Sequence, residues 1–492
     1  MLPARRTAWY PGGMDSETWR ALTEGDGRSE PEPDWSQRRL AMQRAEVRAA
    51  ARQRDLRLVR FHYCALGGIF RAKSVHVGSL ESRMATGLGL PAALMGLNAL
   101  DQPQAIEGLG IVGEVRLVPD PATFVTLPFS PRSGALLADL VGLDSQPWAL
   151  CPRWYLKRML ARAMECGLTI RAAFEPEWTL TVRQGEQYVP FDGSLAYSGL
   201  GMTNAATVVD EIVSALELEG LPIEQYHPEL GHGQQELTIR HAPALRAADN
   251  QVLYRETIRG VAFKQGFYAT FAPKPWPAQP GNGCHLHFSA WDPSGETNLF
   301  HDPKAPNGLS DLGLHFVAGL LEHLPALVAL TCPSFNSFRR LQPGSWSGAY
   351  VCYGPDNREA ALRVASTYWG QEESSTNLEL KACDGTANPY LALGALIAAG
   401  LDGVERRLIP PDGQLALDDP SKLEEAEREE RQIRRLPTDL AGAIACLEGD
   451  RTLLDSLGEP LSRAFLAVRH SEWDAFRLSG ESYEHAHHVY KY

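Results

Sequence analysis

RAAFEPEWTL, residues 171 to 180, sets Glu175 and Glu177 two positions apart in a stretch that reads as a β-strand, so both carboxylates face one side of a sheet. Like charges so placed repel. Such a pair is expected where a cation lies between them, where one carboxylate keeps a catalytic proton, or where both simply face solvent.

Further segments supply groups of the same kind. HPELGHGQQELTIR (227–240) carries Glu229 and Glu236 on either side of a loop in which Gly231 and Gly233 permit tight backbone paths. PGNGCHLHFS (280–289) alternates His285 and His287 on one face of a strand, although a satisfied core histidine is the commoner fate of either alone. In LELKACDGTANPYL (378–391), Glu379 lies in a strand before a turn and a helix start at Asn388 and Pro389. Five carboxylates and at least one imidazole form an oxygen-rich set suited to magnesium or manganese rather than zinc. NSFRRLQPG (336–344) adds Arg339 and Arg340, and GPDNREAALRV (354–364) adds Arg358 and Arg363, the fork-shaped donors that a transferring phosphoryl group requires. Against two divalent cations the five carboxylates (Glu175, Glu177, Glu229, Glu236, Glu379) leave one negative charge, so arginines are needed to admit anionic ligands.

Composition bounds the class. The 492 residues are 44% hydrophobic and 22% charged, ordinary globular usage that excludes disorder and collagen. The formal charge of -13, with no basic stripe, gives a nucleic-acid partner no electrostatic support. Eight cysteines without a C-x-x-C pair argue against a zinc ribbon or a disulfide framework and fit a reducing cytoplasm. No secretory signal is read at the start. The longest apolar candidate, LALGALIAAGL (391–401), is too short to span a membrane and reads as a buried helix.

Along the chain, residues 1–34 read as a flexible arm rich in Gly, Pro and charge. A helix follows from a cap at Asp34, with Leu40, Val47 and Ala51 on one face. Strands at 56–64 and 69–77, punctuated by Gly67 and Gly68, form a hairpin, and EVRLVPDPATFVTLPF continues a small sheet. The resulting division is 1–34 arm, 35–145 helix and small sheet domain, and 146–492 a larger α+β domain. SKLEEAEREERQIRR (421–435) reads as a solvated helix face.

Two suggestive strings carry little. GLGIVG (Gly108, Gly110, Gly113) fits a dinucleotide fingerprint in letters only, because a β-branched, proline-bearing stretch follows where a helix should open. In the tail YEHAHHVYKY, His485, His487 and His488 lack an acidic or thiol partner, so a solvated or subunit-contacting terminus is expected.

EPEW, HPELGHGQQE with the later AD (Ala248, Asp249) and FAPKP (271–275), GNGCHLHFS, NSFRRLQPG with NREAALR, and LELKACDGTANPYL with AAGLDG stand in one order along the chain. In that order they resemble the glutamine synthetase family of type I, strongly over about 170–405 and more weakly upstream. The resemblance implies an α+β fold, an N-terminal β-grasp domain followed by a catalytic domain with a curved antiparallel sheet flanked by helices. It implies ATP and two or more Mg2+ (or Mn2+) ions per site. Glu177, Glu229 and Glu236 would hold the metal nearer glutamate, and Glu175, His285 and Glu379 the metal that bridges ATP phosphates. His287 and Ser289 would face the nucleotide, Arg358 and Arg363 its phosphates, and Arg340 the glutamate carboxylate or the transferred phosphate. Gly281 would lie beside bound glutamate. The implied chemistry is phosphorylation of L-glutamate's γ-carboxylate followed by attack of an amine. The implied assembly is a homo-oligomer of stacked rings, a dodecamer, with sites between subunits.

This chain departs from the family at the amine. Ammonia-using members carry a Glu after the R-L-x-P-G turn, where Trp346 stands here, and a D-G-S-S string absent from 75–110. FDGS at 191–194 reads as a loop outside the small domain. Without these acids ammonium loses its charge partner and base, whereas an arylamine, largely unprotonated at neutral pH, needs less help from a base. An aromatic amine such as aniline is therefore the expected substrate, as in the γ-glutamylanilide synthetase branch. Alkylamine, polyamine or ammonia use remains the alternative, with Trp346 merely packing a loop and another acid moved into place. Lys381 replaces the usual Arg of the E-x-R pair, exchanging a bidentate contact for a point charge near glutamate. No counterpart of the regulatory Tyr occurs in 403–437, so adenylylation is not expected. A non-catalytic structural relative, or a regulator that joins the rings of a true synthetase, is the competing class.

Overall fold

The computed structural model describes residues 35–305, 307–479, 484 and 487–492, so the arm 1–34, Asp34 and His485 lie outside the described residues. The first helix, Trp35–Gln53, buries Val47 and Ala51 and leaves Leu40 half exposed. The expected hairpin forms from β1 (Leu58–Cys64) and β2 (Phe70–His76), antiparallel with Cys64 opposite Phe70. With β3 (Leu88–Pro91), β4 (Glu114–Pro119), β5 (Val125–Thr126) and β6 (Ser133–Val141) they build a sheet of order β2-β1-β6-β4-β3, in which β1 and β6 run parallel. Residues 108–113 form a turn with an exposed Ile111 and Val112, and no helix opens there.

The second sheet centres on β7 (Thr169–Gln184), whose burial alternates strictly through Trp178. Ile170, Ala172, Phe174 and Trp178 enter the core, while Arg171, Glu175 and Glu177 take the other face. Around it lie β8 (Gln187–Pro190), β9 (Ile223–Pro228), β10 (Gln234–Ile239), β11 (Ala242–Pro243), β12 (Tyr268–Thr270), β13 (Cys284–Trp291), β14 (Tyr350–Pro355), β15 (Ala360–Val364) and β16 (Leu378–Leu380). The path is β14-β15-β16-β13-β7-β10-β9. The sheet is antiparallel, as expected, apart from one pair, β14 and β15, which run parallel. FDGS is a loop.

Helices cover the core face. Pro389–Arg406 is the buried helix expected at 391–401, and Asn388 caps it by accepting from the backbone N–H groups of Tyr390 and Leu391. It packs closely against Asp311–Thr331: a Cβ on Gly319 would stand 2.7 Å from the Gly403 nitrogen. Asp311–Thr331 is also the longest apolar helix among the described residues, 21 residues at mean hydropathy 1.5, a length the sequence reading assigned to no segment. With 72% of its apolar window buried, it is a core helix. The charged run 421–435 is only partly helical, Glu425–Glu430, because Arg428 and Arg431 turn inward to backbone carbonyls of the same lobe.

The C-terminal residues also depart from expectation. His488 is buried and bonds Ser334 at 2.5 Å, and the buried Tyr492 donates its hydroxyl to the Gly67 carbonyl at 2.8 Å. Long-range packing, invisible in a short polar string, puts this tail inside its own chain rather than in solvent.

Two polar networks tie the layers. Arg153, at the start of helix Pro152–Glu165, donates to Asp249 from Nε and Nη2 at 2.9 Å each, to Asp120 at 2.9 Å and to Asp139 at 3.1 Å. Asp120 and Asp139 belong to the small sheet region and Asp249 to helix Ala244–Lys264, so one guanidinium joins both halves. Farther out, His323 meets Asp450 at 2.6 Å and Asp402 at 3.1 Å, and Arg406 pairs with Asp402 and Glu322. Glu322, His323 and Asp402 lie close enough for a cation, but Arg406 already supplies one. Burial pulls the His323 pKa down, and the bonds to Asp450 and Asp402 outweigh it, so the net direction is upward. Its stabilisation is thus full below the ordinary histidine value of about 6.5 and is lost as pH rises through the raised one. His323→Gln should therefore flatten the decline of thermal stability above about pH 6.5; a melting profile with the parent's slope would refute the clasp.

Candidate active site

Strand register brings the chemistry together. Glu236 on β10 lies opposite Glu177 on β7 and opposite His227 on β9. His285 on β13 lies opposite Glu175, and His287 opposite Glu379 on β16. Opposed residues on one face hold their Cβ atoms about 4.5–5.5 Å apart, so two clusters form side by side. All of these residues except Glu379, which is buried beneath, line a cavity of about 1390 Å³.

In the first cluster His227 Nε2 is 2.9 Å from Glu229 and 3.7 Å from Glu236. Glu177 accepts from Gln234 at 2.8 Å and from the Gly283 backbone at 2.9 Å. Burial, then the charges of Glu175, Glu177, Glu229 and Glu379, push the Glu236 pKa far up. Carboxylates that converge in this way make a donor set suited to a cation. His227 escaped the sequence reading, although it stands two positions before Glu229 in a strand-ending segment, and that spacing could have found it. Tyr197 was missed as well; its ring stacks on His227 at 4.5 Å, a contact made by a loop with no pattern to read.

In the second cluster His285 Nδ1 is 3.1 Å from Glu379 and 3.5 Å from Glu175. His287 Nε2 is 3.4 Å from Glu175 and 3.8 Å from Glu379, so both imidazoles reach the same two carboxylates. Asn377 contacts His287 Nδ1 at 2.8 Å and leaves Nε2 turned to the acids. Burial alone lowers the His287 pKa, but Glu175 and Glu379 raise it to about 9. Burial opposes charge on Glu379, and Lys381, His285 and His287 override it, holding the carboxyl well below its usual range.

The basic residues divide. Arg340 is buried, with Nη2 3.0 Å from the Lys381 carbonyl and 3.3 Å from His285, while its buried Nη1 has no partner among the described residues. Lys381 Nζ is 3.4 Å from Glu379, and Arg363 Nε pairs with Glu379 from the other side. Arg358 lines the cavity. Arg339 lies apart, half exposed and paired with Glu484. Gly281 packs so tightly that a Cβ would meet the Pro273 carbonyl at 2.5 Å and Arg340 Cγ at 2.8 Å. Ser289 is on the wall and accepts from the Trp291 indole at 2.9 Å.

Trp346 does not pack into a loop. The residue is 56% exposed and lines the cavity, at a left-handed backbone φ of 54°. Glu359, buried behind that turn, accepts from the Trp346 and Gly344 backbone N–H groups at 2.6 and 3.2 Å. It is thereby engaged, and it does not line the cavity. Tyr197, 65% exposed at φ 56°, adds a second ring to the cavity lining.

The donor set fits hard divalent cations: Glu175, Glu177, Glu229, Glu236, Glu379 and the flanking imidazoles offer oxygen-rich positions that magnesium or manganese would fill.

Two family models match the chain. The glutamine synthetase N-terminal domain matches residues 42–148 and the glutamine synthetase catalytic domain residues 149–488. The chain is 37% identical over 414 residues to a gamma-glutamylpolyamine synthetase, GlnA3, of Streptomyces coelicolor, covering 83% of this chain and 88% of that protein. It is 33% identical over 442 residues to the glutamine synthetase of Mycolicibacterium smegmatis, covering 88% and 96%. Among solved structures it resembles a novel glutamine synthase homolog (36% identity, TM-score 0.78) and GmaS in complex with ADP (30% identity, TM-score 0.77), each over 89% of this chain and 98% of the other.

Proposed function

Because the chain belongs to the glutamine synthetase family, an ATP-dependent γ-glutamyl ligase that works with divalent magnesium or manganese, we propose that it joins L-glutamate to an organic amine, an aromatic amine such as aniline suiting its cavity best. The carrying observation is Trp346, an exposed indole on the cavity wall where ammonia-using relatives place a carboxylate. An apolar π surface favours an uncharged ring over a small hydrated cation. Tyr197 supports the same reading.

Glu177, Glu229 and Glu236, joined by His227, would hold one cation on the glutamate side, and Glu175, His285 and Glu379 would hold the other on the ATP side. His287 and Ser289 face the nucleotide, and Arg358 and Arg363 its phosphates. Arg340, whose Nη1 has no partner among the described residues, takes the glutamate carboxylate or the phosphoryl group, with Gly281 and Lys381 beside it. The γ-phosphoryl group passes to the side-chain carboxyl of glutamate with release of ADP. The amine nitrogen then attacks the acyl carbon, phosphate leaves, and the nitrogen loses a proton. The cations and arginines supply the charge stabilisation. Assembly in stacked rings, a dodecamer with sites between subunits, and a cytoplasmic location complete the reading.

A polyamine is the second reading, supported by the similarity to a gamma-glutamylpolyamine synthetase and by the capacity of aromatic rings to bind ammonium groups. The two separate by assay. Ammonium, alkylamines, polyamines and anilines are offered in turn with glutamate, ATP and magnesium, and products are identified by mass spectrometry. An anilide formed at the highest kcat/KM supports the first reading, and faster turnover with a diamine the second. Fastest turnover with ammonium would overturn the argument from Trp346.

A further inference from the structure

We propose that Glu359 is a positioning residue for the amine site, its carboxylate fixing the exposed turn that carries the Trp346 indole and so setting which amine is accepted. The inference rests on the amine-ligase reading above and concerns a residue outside the cavity.

The turn between Gln342 and Ser347 is closed at its base by Ser347, whose hydroxyl accepts from the Gln342 N–H at 3.1 Å and donates to the Gln342 carbonyl at 3.0 Å. Its tip, Gly344 to Trp346, is exposed. Trp346 sits at φ 54°, a conformation costly for a bulky side chain that persists only where surroundings impose it. The imposing group is Glu359. One oxygen takes the Trp346 N–H at 2.6 Å and the other the Gly344 N–H at 3.2 Å, so two peptide groups of the tip are pinned by one carboxylate. Charged acceptors make stronger bonds than neutral ones, and this carboxylate is buried, with 5% of its surface exposed.

Glu359 is itself placed. Asn357 accepts from its N–H at 3.0 Å and is anchored by donating to the carbonyls of Ala416 and Asp418. Its chain neighbour Arg358 lines the cavity. Residues 357–359 therefore carry one of the cavity's arginines and the clamp of its indole on one short turn, and that turn leads directly into β15. An indole so fixed offers a surface of constant shape; once released, it no longer selects by shape.

The test compares the parent chain with Glu359→Ala, Glu359→Gln, Trp346→Ala and the Glu359→Ala/Trp346→Ala pair. Aniline and putrescine are the organic amines, and hydroxylamine is a small nucleophile that reports acyl-phosphate formation without filling the amine pocket. Glu359→Ala is expected to raise KM for the preferred organic amine at least tenfold, with KM for glutamate and ATP and the hydroxamate rate within about twofold. Glu359→Gln, which keeps an acceptor, should recover part of the loss, and it carries the comparison if the alanine variant does not fold. In the Trp346→Ala background, Glu359→Ala should change amine KM less than twofold. Parallel loss in every parameter, an unchanged amine KM, or full additivity of the pair would overturn the proposal. If the parent forms no hydroxamate with glutamate and ATP, the ligase reading fails and takes this inference with it; hydroxamate formation with indifferent Glu359 variants overturns the inference alone.

Discussion

Glu379→Gln should lower glutamate-, amine- and ATP-dependent phosphate release about a thousandfold while the protein stays folded. Several kcal/mol of charge stabilisation, at about 1.4 kcal/mol per factor of ten, gives that magnitude. Glu379 is 1% exposed and stands where four groups converge: His285 Nδ1 at 3.1 Å, His287 Nε2 at 3.8 Å, Lys381 Nζ at 3.4 Å, and Arg363. Glutamine keeps the shape and one acceptor but removes the charge, so the site should lose a cation rather than its frame. Alanine would be a poorer probe, since it would also open a cavity beneath the site and take away the acceptor that Lys381 and Arg363 share. Calorimetric titration with Mn2+ should show one binding event fewer. Glu448→Gln, at an exposed pair with His470, should keep activity within twofold. More than a tenth of the parent's activity in Glu379→Gln would remove Glu379 from the cation site.

What could be read from the sequence follows how local each signal is. Glu175 and Glu177 were legible because strand periodicity puts i and i+2 on one face whatever the fold does elsewhere. The same rule made His285 and His287 a pair and would have added His227 to Glu229. Which residues share a cation depends instead on register between strands distant in sequence. His287, which the resemblance puts on the nucleotide side, also has its Nε2 3.4 Å from Glu175 and 3.8 Å from Glu379, the same two carboxylates that His285 meets. Tyr197 and Glu359 act from loops, where no periodicity exists. The parallel pairing of β14 and β15 is a matter of topology, and the burial of His488 and Tyr492 one of long-range packing; neither leaves a pattern in a ten-residue window. Trp346 was legible only as a departure from a family position, and its exposure to the cavity is what gives that departure chemical meaning.

Arg153 had no signal at all, yet its replacement should cost more stability than that of any other surface-poor charge named here. Arg153→Ala is expected to destabilise the protein by about 3–5 kcal/mol, because it leaves buried carboxylates without their cation. Asp249, 2% exposed, would keep only the Tyr390 hydroxyl at 2.8 Å, and Asp139 only Lys157 at 2.6 Å. Burial pulls the Arg153 guanidinium's pKa down, and Asp249, Asp139 and Asp120 together lift it well above the ordinary arginine value, so charge is fixed on this group at any usable pH. The loss should be partly restored by Asp249→Asn in the same chain, since removing the orphaned charge removes most of the penalty while the amide can still accept from Tyr390. Urea denaturation of the two single variants and the double variant measures this directly. If the double variant is no more stable than Arg153→Ala alone, the guanidinium acts by filling space rather than by holding the small sheet to the helices beneath the site.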